Sequence, residues 1–220
     1  TGEVFNGKSL KQLIDIAAEN DMYIVCDEIY DKLVFDKEFT GIGKVAKDAA
    51  VILLNGFSKV YLMTGWRCGY ICMNSNCQQL ENIRNNIPKL ARVRIATNLP
   101  VQKAAVAALK GPQAYIAETV TKLKNRRDLV VKRLNEIDGI SCKLPNGAFY
   151  TFPEISLTHW KTDKDFILDL LNKTGILTVH GSGFGELGKG HFRIVYLPTE
   201  QVLEEAMDKL SDFINSKNHN

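Results

Sequence analysis

Two short runs, Tyr23-Ile24-Val25-Cys26 and Val51-Ile52-Leu53-Leu54, restrict the fold more than any other feature of the chain. Each is apolar throughout instead of alternating and contains β-branched residues, so each reads as a strand covered on both faces. Each stops at a pair that does not continue a strand, Asp27-Glu28 and Asn55-Gly56. A third run of this kind, Tyr70-Ile71-Cys72-Met73, follows Gly69. Ahead of the first, Ser9-x-x-Gln12 has the form of a capping box, with Leu10, Leu13, Ile14 and Ala17 at helical spacing. Helix, buried strand, connection and buried strand predict an α/β unit built on a mostly parallel sheet.

Beyond residue 74 the pattern turns helical. Gly111-Pro112 interrupts it, and Pro112 suits the first turn of a further helix. That helix carries Ile116, Val120, Leu123, Val130 and Leu134 on one face and ends at Asp138-Gly139. Strand-like pieces follow at Phe149–Phe152, Ile176–Val179 and His191–Leu197, with a helix over 162–173 between them. The last helix shows Val202, Leu203, Ala206, Met207, Leu210, Phe213 and Ile214 as one apolar stripe, which is core. The predicted division is residues 1–111 and a smaller α+β part, 112–220, with an antiparallel sheet.

Composition narrows the function classes. The chain has 220 residues, 45% of them hydrophobic, enough for one or two cored domains. A net charge of +3 spread along the sequence argues against nucleic acid or a membrane surface as partner. No apolar run approaches membrane-spanning length, and the first residues do not form a signal peptide. Five cysteines without paired short spacings argue against a disulfide framework or a zinc site. They read as small buried hydrophobes in a reducing compartment, so a cytoplasmic location is expected. His159, His180, His191 and His219 stand isolated and suggest no metal site.

In α/β sheets ligands gather at the carboxyl ends of the strands, where Asp27 and the turn Asn55–Lys59 both fall. An aspartate there is ordinarily a turn or cap residue, and most lysines are solvated. Their combination with Arg67, on a second glycine-rich bend between Gly65 and Gly69, is what points to chemistry. A lysine near apolar walls and another cation loses its proton more readily and attacks carbonyls. A carboxylate keeps a ring nitrogen protonated, and an arginine fork grips a phosphate. These are the three handles of pyridoxal 5′-phosphate.

The run Gly56-Phe57-Ser58-Lys59-x-x-Leu62-Met63-x-Gly65-x-Arg67-x-Gly69 resembles the cofactor-attachment signature of class I aminotransferases, of fold type I. It departs from the family at Cys68, where an aliphatic residue is usual. Val25-Cys26-Asp27-Glu28-Ile29-Tyr30 resembles the family's D-E-x-Y segment, Pro145-x-Gly147-Ala148-Phe149-Tyr150-x-Phe152-Pro153 its P-x-G-A-F-Y-x-F-P strand, and Phe192-Arg193-Ile194 its F-R-[IL] run. The resemblance implies that Lys59 forms an imine with the cofactor and later shuttles a proton. It implies that Asp27 pairs with the ring nitrogen, Tyr30 bonds the ring oxygen, Arg67 binds phosphate, and Arg193 clamps the substrate carboxylate. The family often has a phosphate-binding serine where this chain has Gly56, so Ser58 either donates to the phosphate or shapes the turn.

The reaction so implied moves an amino group between an L-amino acid and a 2-oxo acid, with aspartate, aromatic and alanine types left open. Other enzymes of the fold, a C–S β-lyase or a cyclopropane-forming synthase, share Lys59, Asp27 and Arg67. An aminotransferase-like sensor module in a transcription regulator is a third possibility. Family members are homodimers. Thr1-Gly2 resembles the end of the family's N-P-x-N-P-T-G segment, so the chain is expected to be the C-terminal portion of such an enzyme, with little or no activity alone.

Overall fold

The computed structural model describes residues 1–95 and 97–218, so the isolated His219 lies outside the described residues. The chain divides into two compact units, one of Val4–Ala117 and one of Thr1–Glu3 with Glu118–Asn220.

The first unit is a three-stranded sheet with helices. Helix α1 (Gly7–Glu19) leads into strand β1 (Ile24–Asp27), followed by β2 (Val51–Gly56) and β3 (Gly69–Met73). Strand order is β1-β2-β3. The β1–β2 pair is parallel, Ile24 opposite Val51 and Asp27 opposite Leu54, whereas β3 runs antiparallel to β2 with Gly69 opposite Gly56. Residues 57–68 hold only turns and a short 3-10 helix, too little to carry the chain back for a parallel strand.

The expected capping box at Ser9 is not the helix cap. Asn6 is: its side-chain oxygen accepts from the Ser9 N–H, so α1 begins a turn earlier, and Leu10, Ile14 and Ala17 form its buried stripe. The strands also depart from double-sided burial. Val25 is 62% exposed, and the first four residues of β3 are exposed, because among the described residues apolar packing covers one face of β1. That face carries Ile24 and Cys26, which join Ile14, Ile42, Ala46 and Val51 in one cluster. A second cluster joins Ala50, Ile52, Cys77 and Leu80 near α2 (Glu81–Arg94). A third matters most for function: Phe57 and Met63 pack on Ala105 of α3 (Leu99–Lys110), with Tyr61 and Cys68 beside them.

The second unit begins within α4 (Ala114–Asn135), which stops short of the expected Asp138. Strands β4 (Ile140–Ser141) and β6 (Glu154–Ile155) make an antiparallel pair, and β5 (Tyr150–Thr151), β8 (Phe192–Val195) and β7 (Val179–His180) an antiparallel sheet ordered β5-β8-β7. The strand foreseen over Ile176–Val179 shrinks to β7. Helices α5 (Asp163–Thr174) and α6 (Glu200–Asn218) pack against each other, with Phe166, Leu170, Leu203, Met207 and Leu210 buried, and α5 also meets β7. Aromatic rings fill the centre, with Trp160 and Phe192 edge-on to Phe166 at 5.0 and 5.1 Å.

Among the described residues no helix is long and apolar enough to cross a membrane, and no group of His, Cys, Asp or Glu is placed to hold a metal ion.

Candidate active site

One edge of the first sheet collects the chemistry. Because β1 and β2 are parallel, their carboxyl ends, Asp27 and Gly56, lie at the same edge. Because β3 is antiparallel to β2, it starts at that edge, which brings Arg67, two residues before Gly69, to the same place. Two stretches of the chain, 27–30 and 56–69, therefore converge there.

Lys59 sits half-buried on the turn that leaves Gly56. The turn is built rigidly from below. Phe57 is buried, its N–H donates to the Cys68 carbonyl at 3.2 Å, and its own carbonyl accepts from Met63. Phe57 also meets Tyr61 at 5.4 Å and Tyr70 edge-on at 6.1 Å. Cys68 takes the place of the family's aliphatic residue by packing with this group. Gly56 and Gly69 are required by closeness: a Cβ on Gly56 would lie 2.9 Å from the Cys68 carbonyl oxygen, and one on Gly69 3.0 Å from that of Asn55.

The structure brings Lys59 and Tyr30 together, with the ammonium 5.8 Å from the phenol ring centre. Asp27 is exposed, and its Oδ1 accepts from the Ile29 N–H at 3.0 Å, which steadies the carboxylate over the strand end. Arg67 adopts left-handed backbone angles, φ 53° and ψ 48°, and donates from Nη1 to the Thr64 carbonyl. Ser58 is half-buried beside Lys59. Behind Asp27, burial together with the Glu28 and Asp27 charges pushes the Cys26 thiol up to about 11. Burial also raises Glu28, against the pull of the Ile42 N–H that its Oε1 accepts at 2.6 Å. Cys26 is thus a neutral packing residue.

Arg193 belongs to the other unit. It lies on β8 between Phe192 and Ile194, which are buried, and is itself half-buried. Its Nε is buried with no hydrogen-bond partner among the described residues. A cavity of about 260 Å³ opens beside it, lined by Thr1, Tyr150, Phe152, Phe184, Leu187, Gly188 and Arg193. The aromatic surroundings of Arg193 were missed from sequence. Tyr150 lay in a quoted motif, but Phe184 sits in a glycine-rich stretch with no periodic signal.

A primary amine, a carboxylate, a phenol and a guanidinium on one sheet edge suit a ring that bears an aldehyde, a basic nitrogen, an oxygen and a phosphate. The donor set present fits pyridoxal phosphate. The profile described as aminotransferase class I and II matches residues 1–210. The chain belongs to this aminotransferase family. It is 36% identical over 98% of its length to the glutamate-pyruvate aminotransferase AlaA of Haemophilus influenzae, and 34% to the alanine aminotransferase of Mycobacterium tuberculosis. It covers 54% and 52% of those proteins. An alanine aminotransferase from Pyrococcus furiosus superposes with a TM-score of 0.95 at 48% identity, over 98% of this chain and 55% of that one. The chain thus spans about half the length of the relatives it matches. The aminotransferase fold accounts for both units.

Proposed function

We propose that this chain carries the catalytic lysine of a pyridoxal-phosphate-dependent aminotransferase acting on an L-amino acid and a 2-oxo acid. The convergence of Asp27, Lys59 with Tyr30, and Arg67 on one sheet edge is the observation that carries this reading. When bound, pyridoxal phosphate supplies a ring that accepts the electron pair left as the substrate Cα loses its proton. Lys59 would hold the cofactor through its amine and, once released from it, take that proton and return it one carbon away. Asp27 would keep a proton on the ring nitrogen, and Tyr30 would donate to the ring oxygen. Arg67, with Ser58, would neutralise the phosphate. Arg193 would bind the substrate carboxylate as a fork, so that the Cα–H bond is presented in one direction.

Residues 1–111 would form the cofactor-binding part of the enzyme and residues 112–220 the smaller part that carries Arg193. The 48% identity to the Pyrococcus furiosus alanine aminotransferase supports alanine as amino donor. The 36% identity to the Haemophilus influenzae glutamate-pyruvate aminotransferase supports glutamate with pyruvate as acceptor. Exposed Leu90, Val93 and Leu99 along α2 and the start of α3 support self-association as a homodimer. Unpaired cysteines, Cys77 and Cys142 of them buried, support a reducing, cytoplasmic setting.

The test is a single-turnover incubation of protein, pyridoxal phosphate and L-alanine. A transaminase forms pyruvate while the amino group stays on the cofactor. A parallel incubation with an S-alkyl-L-cysteine, whose Cβ carries the thiol leaving group that alanine lacks, separates the rival. Release of thiol, pyruvate and free ammonia from it, with no pyruvate formed from L-alanine, marks a lyase of the same fold and refutes the reading.

A further inference from the structure

Arg193 is held by more than its strand. Its guanidinium carbon lies over two aromatic rings, 4.7 Å from the centre of Phe184 and 5.5 Å from that of Tyr150. Tyr150 comes from the neighbouring strand, where it pairs with Val195. Phe184 comes from outside the sheet. It ends the single 3-10 turn Gly181–Phe184 and remains 52% exposed, so burial does not explain why its ring is held so firmly.

That turn is anchored from several sides. Asp163, 3% exposed at the start of α5, accepts from the Ser182 N–H. His180 Nδ1 accepts from the Gly183 N–H at 3.1 Å, and the Gly181 N–H donates to the His191 carbonyl at 2.7 Å. Gly181 and Gly188 approach so closely that a Cβ on Gly181 would lie 2.1 Å from the Gly188 carbonyl oxygen. The ring itself meets Phe152 edge-on at 5.8 Å, and Phe152 stacks on His191 at 5.2 Å. Phe184 is thus a half-exposed ring fixed in place at the cavity beside Arg193.

We propose that Phe184 is a positioning residue for Arg193, an inference that rests on the reading of Arg193 as the carboxylate-binding group. The negative face of the ring attracts the guanidinium and removes water from one of its flanks. The fork is then already oriented and partly dehydrated when a carboxylate enters the cavity, and little ordering remains to oppose binding. Phe184 acts on affinity for the carboxylate, through Arg193, and does not touch the reacting carbon.

The test uses the 220-residue chain, with pyruvate as probe and NMR as readout. The Arg193 Nε–Hε resonance reports the ring directly, and backbone amides of 184–193 report binding. Phe184→Leu is expected to shift that resonance and weaken pyruvate binding about five- to thirtyfold, the range of a desolvated cation–π contact. Phe184→Tyr, which keeps the ring, is expected to restore both, which a purely structural role of this side chain does not predict. Arg193→Gln is expected to abolish binding. If Arg193→Gln abolishes binding while Phe184→Leu stays within about twofold of wild type, far below that range, the positioning role is overturned. If Arg193→Gln binds as wild type, the carboxylate reading fails, and this inference with it.

Discussion

Replacing Gly56 by alanine places a methyl group where β2 and β3 come closest. The new carbon would lie 2.9 Å from the Cys68 carbonyl oxygen, 3.1 Å from the Gly69 Cα and 3.3 Å from Ile29 Cδ1. Only the isoleucine methyl is the free end of a side chain. The other two are backbone atoms of a paired strand and its turn, so the strands must part at this pair. Gly56 has no left-handed backbone angle, so the effect is steric. Overpacking of this kind costs about 1–3 kcal/mol, and the lower entropy of the unfolded chain offsets about 0.4–1 of it. The net loss is about 1 kcal/mol, which at a urea slope of about 2 kcal/mol/M lowers the midpoint by about 0.5 M. Each compact unit holds one of the two tryptophans, Trp66 and Trp160. In a Trp160→Phe background, Trp66 fluorescence therefore follows the unit that carries Gly56. A midpoint that stays put or rises would refute the claim that packing at this edge demands glycine.

Two further outcomes are expected. At pH 8.5 iodoacetamide should modify Cys26 about a hundredfold more slowly than a free thiol, because so little of it is thiolate, and Glu28→Gln should speed it; mass mapping of the modified peptides measures both. Asp163 is opposed by burial, but the Ser182 hydrogen bonds, its own N–H and the His180 charge outweigh this and hold its carboxyl below the usual value of 3.8. A depressed carboxyl contributes stability above its unfolded value and loses it as pH falls through the folded one. The gap in urea midpoint between wild type and Asp163→Asn, followed through Trp160, should therefore be full near pH 6 and close on acidification below pH 3.8.

Much of the site was legible because its parts are local. Gly56, Lys59, Arg67 and Gly69 share one short run, and Asp27 and Tyr30 another. The apolar runs therefore place Asp27 and Lys59 at strand ends, whereas Tyr30 was added only by the family resemblance. The strands themselves were legible as apolar runs, but their surroundings were not. Nothing in Tyr70–Met73 tells whether it pairs parallel or antiparallel, or that Tyr70, Ile71 and Cys72 stay exposed, since those depend on what covers the sheet. The cap of α1 was misjudged because Ser9 and Asn6 are both capping types, and only the backbone decides between them. Phe184 was invisible because its role arises from a fold-back of the 181–191 segment onto β8, a contact without sequence periodicity.

Reduction with borohydride fixes a cofactor to the amine that holds it. After incubation of the chain with pyridoxal phosphate, reduction and peptide mapping, a single pyridoxyl adduct on the Lys59 peptide is predicted, and Lys59→Arg should abolish it. Adducts scattered over the exposed lysines, with Lys59 unmodified, would contradict the assignment of the sheet edge as the cofactor site.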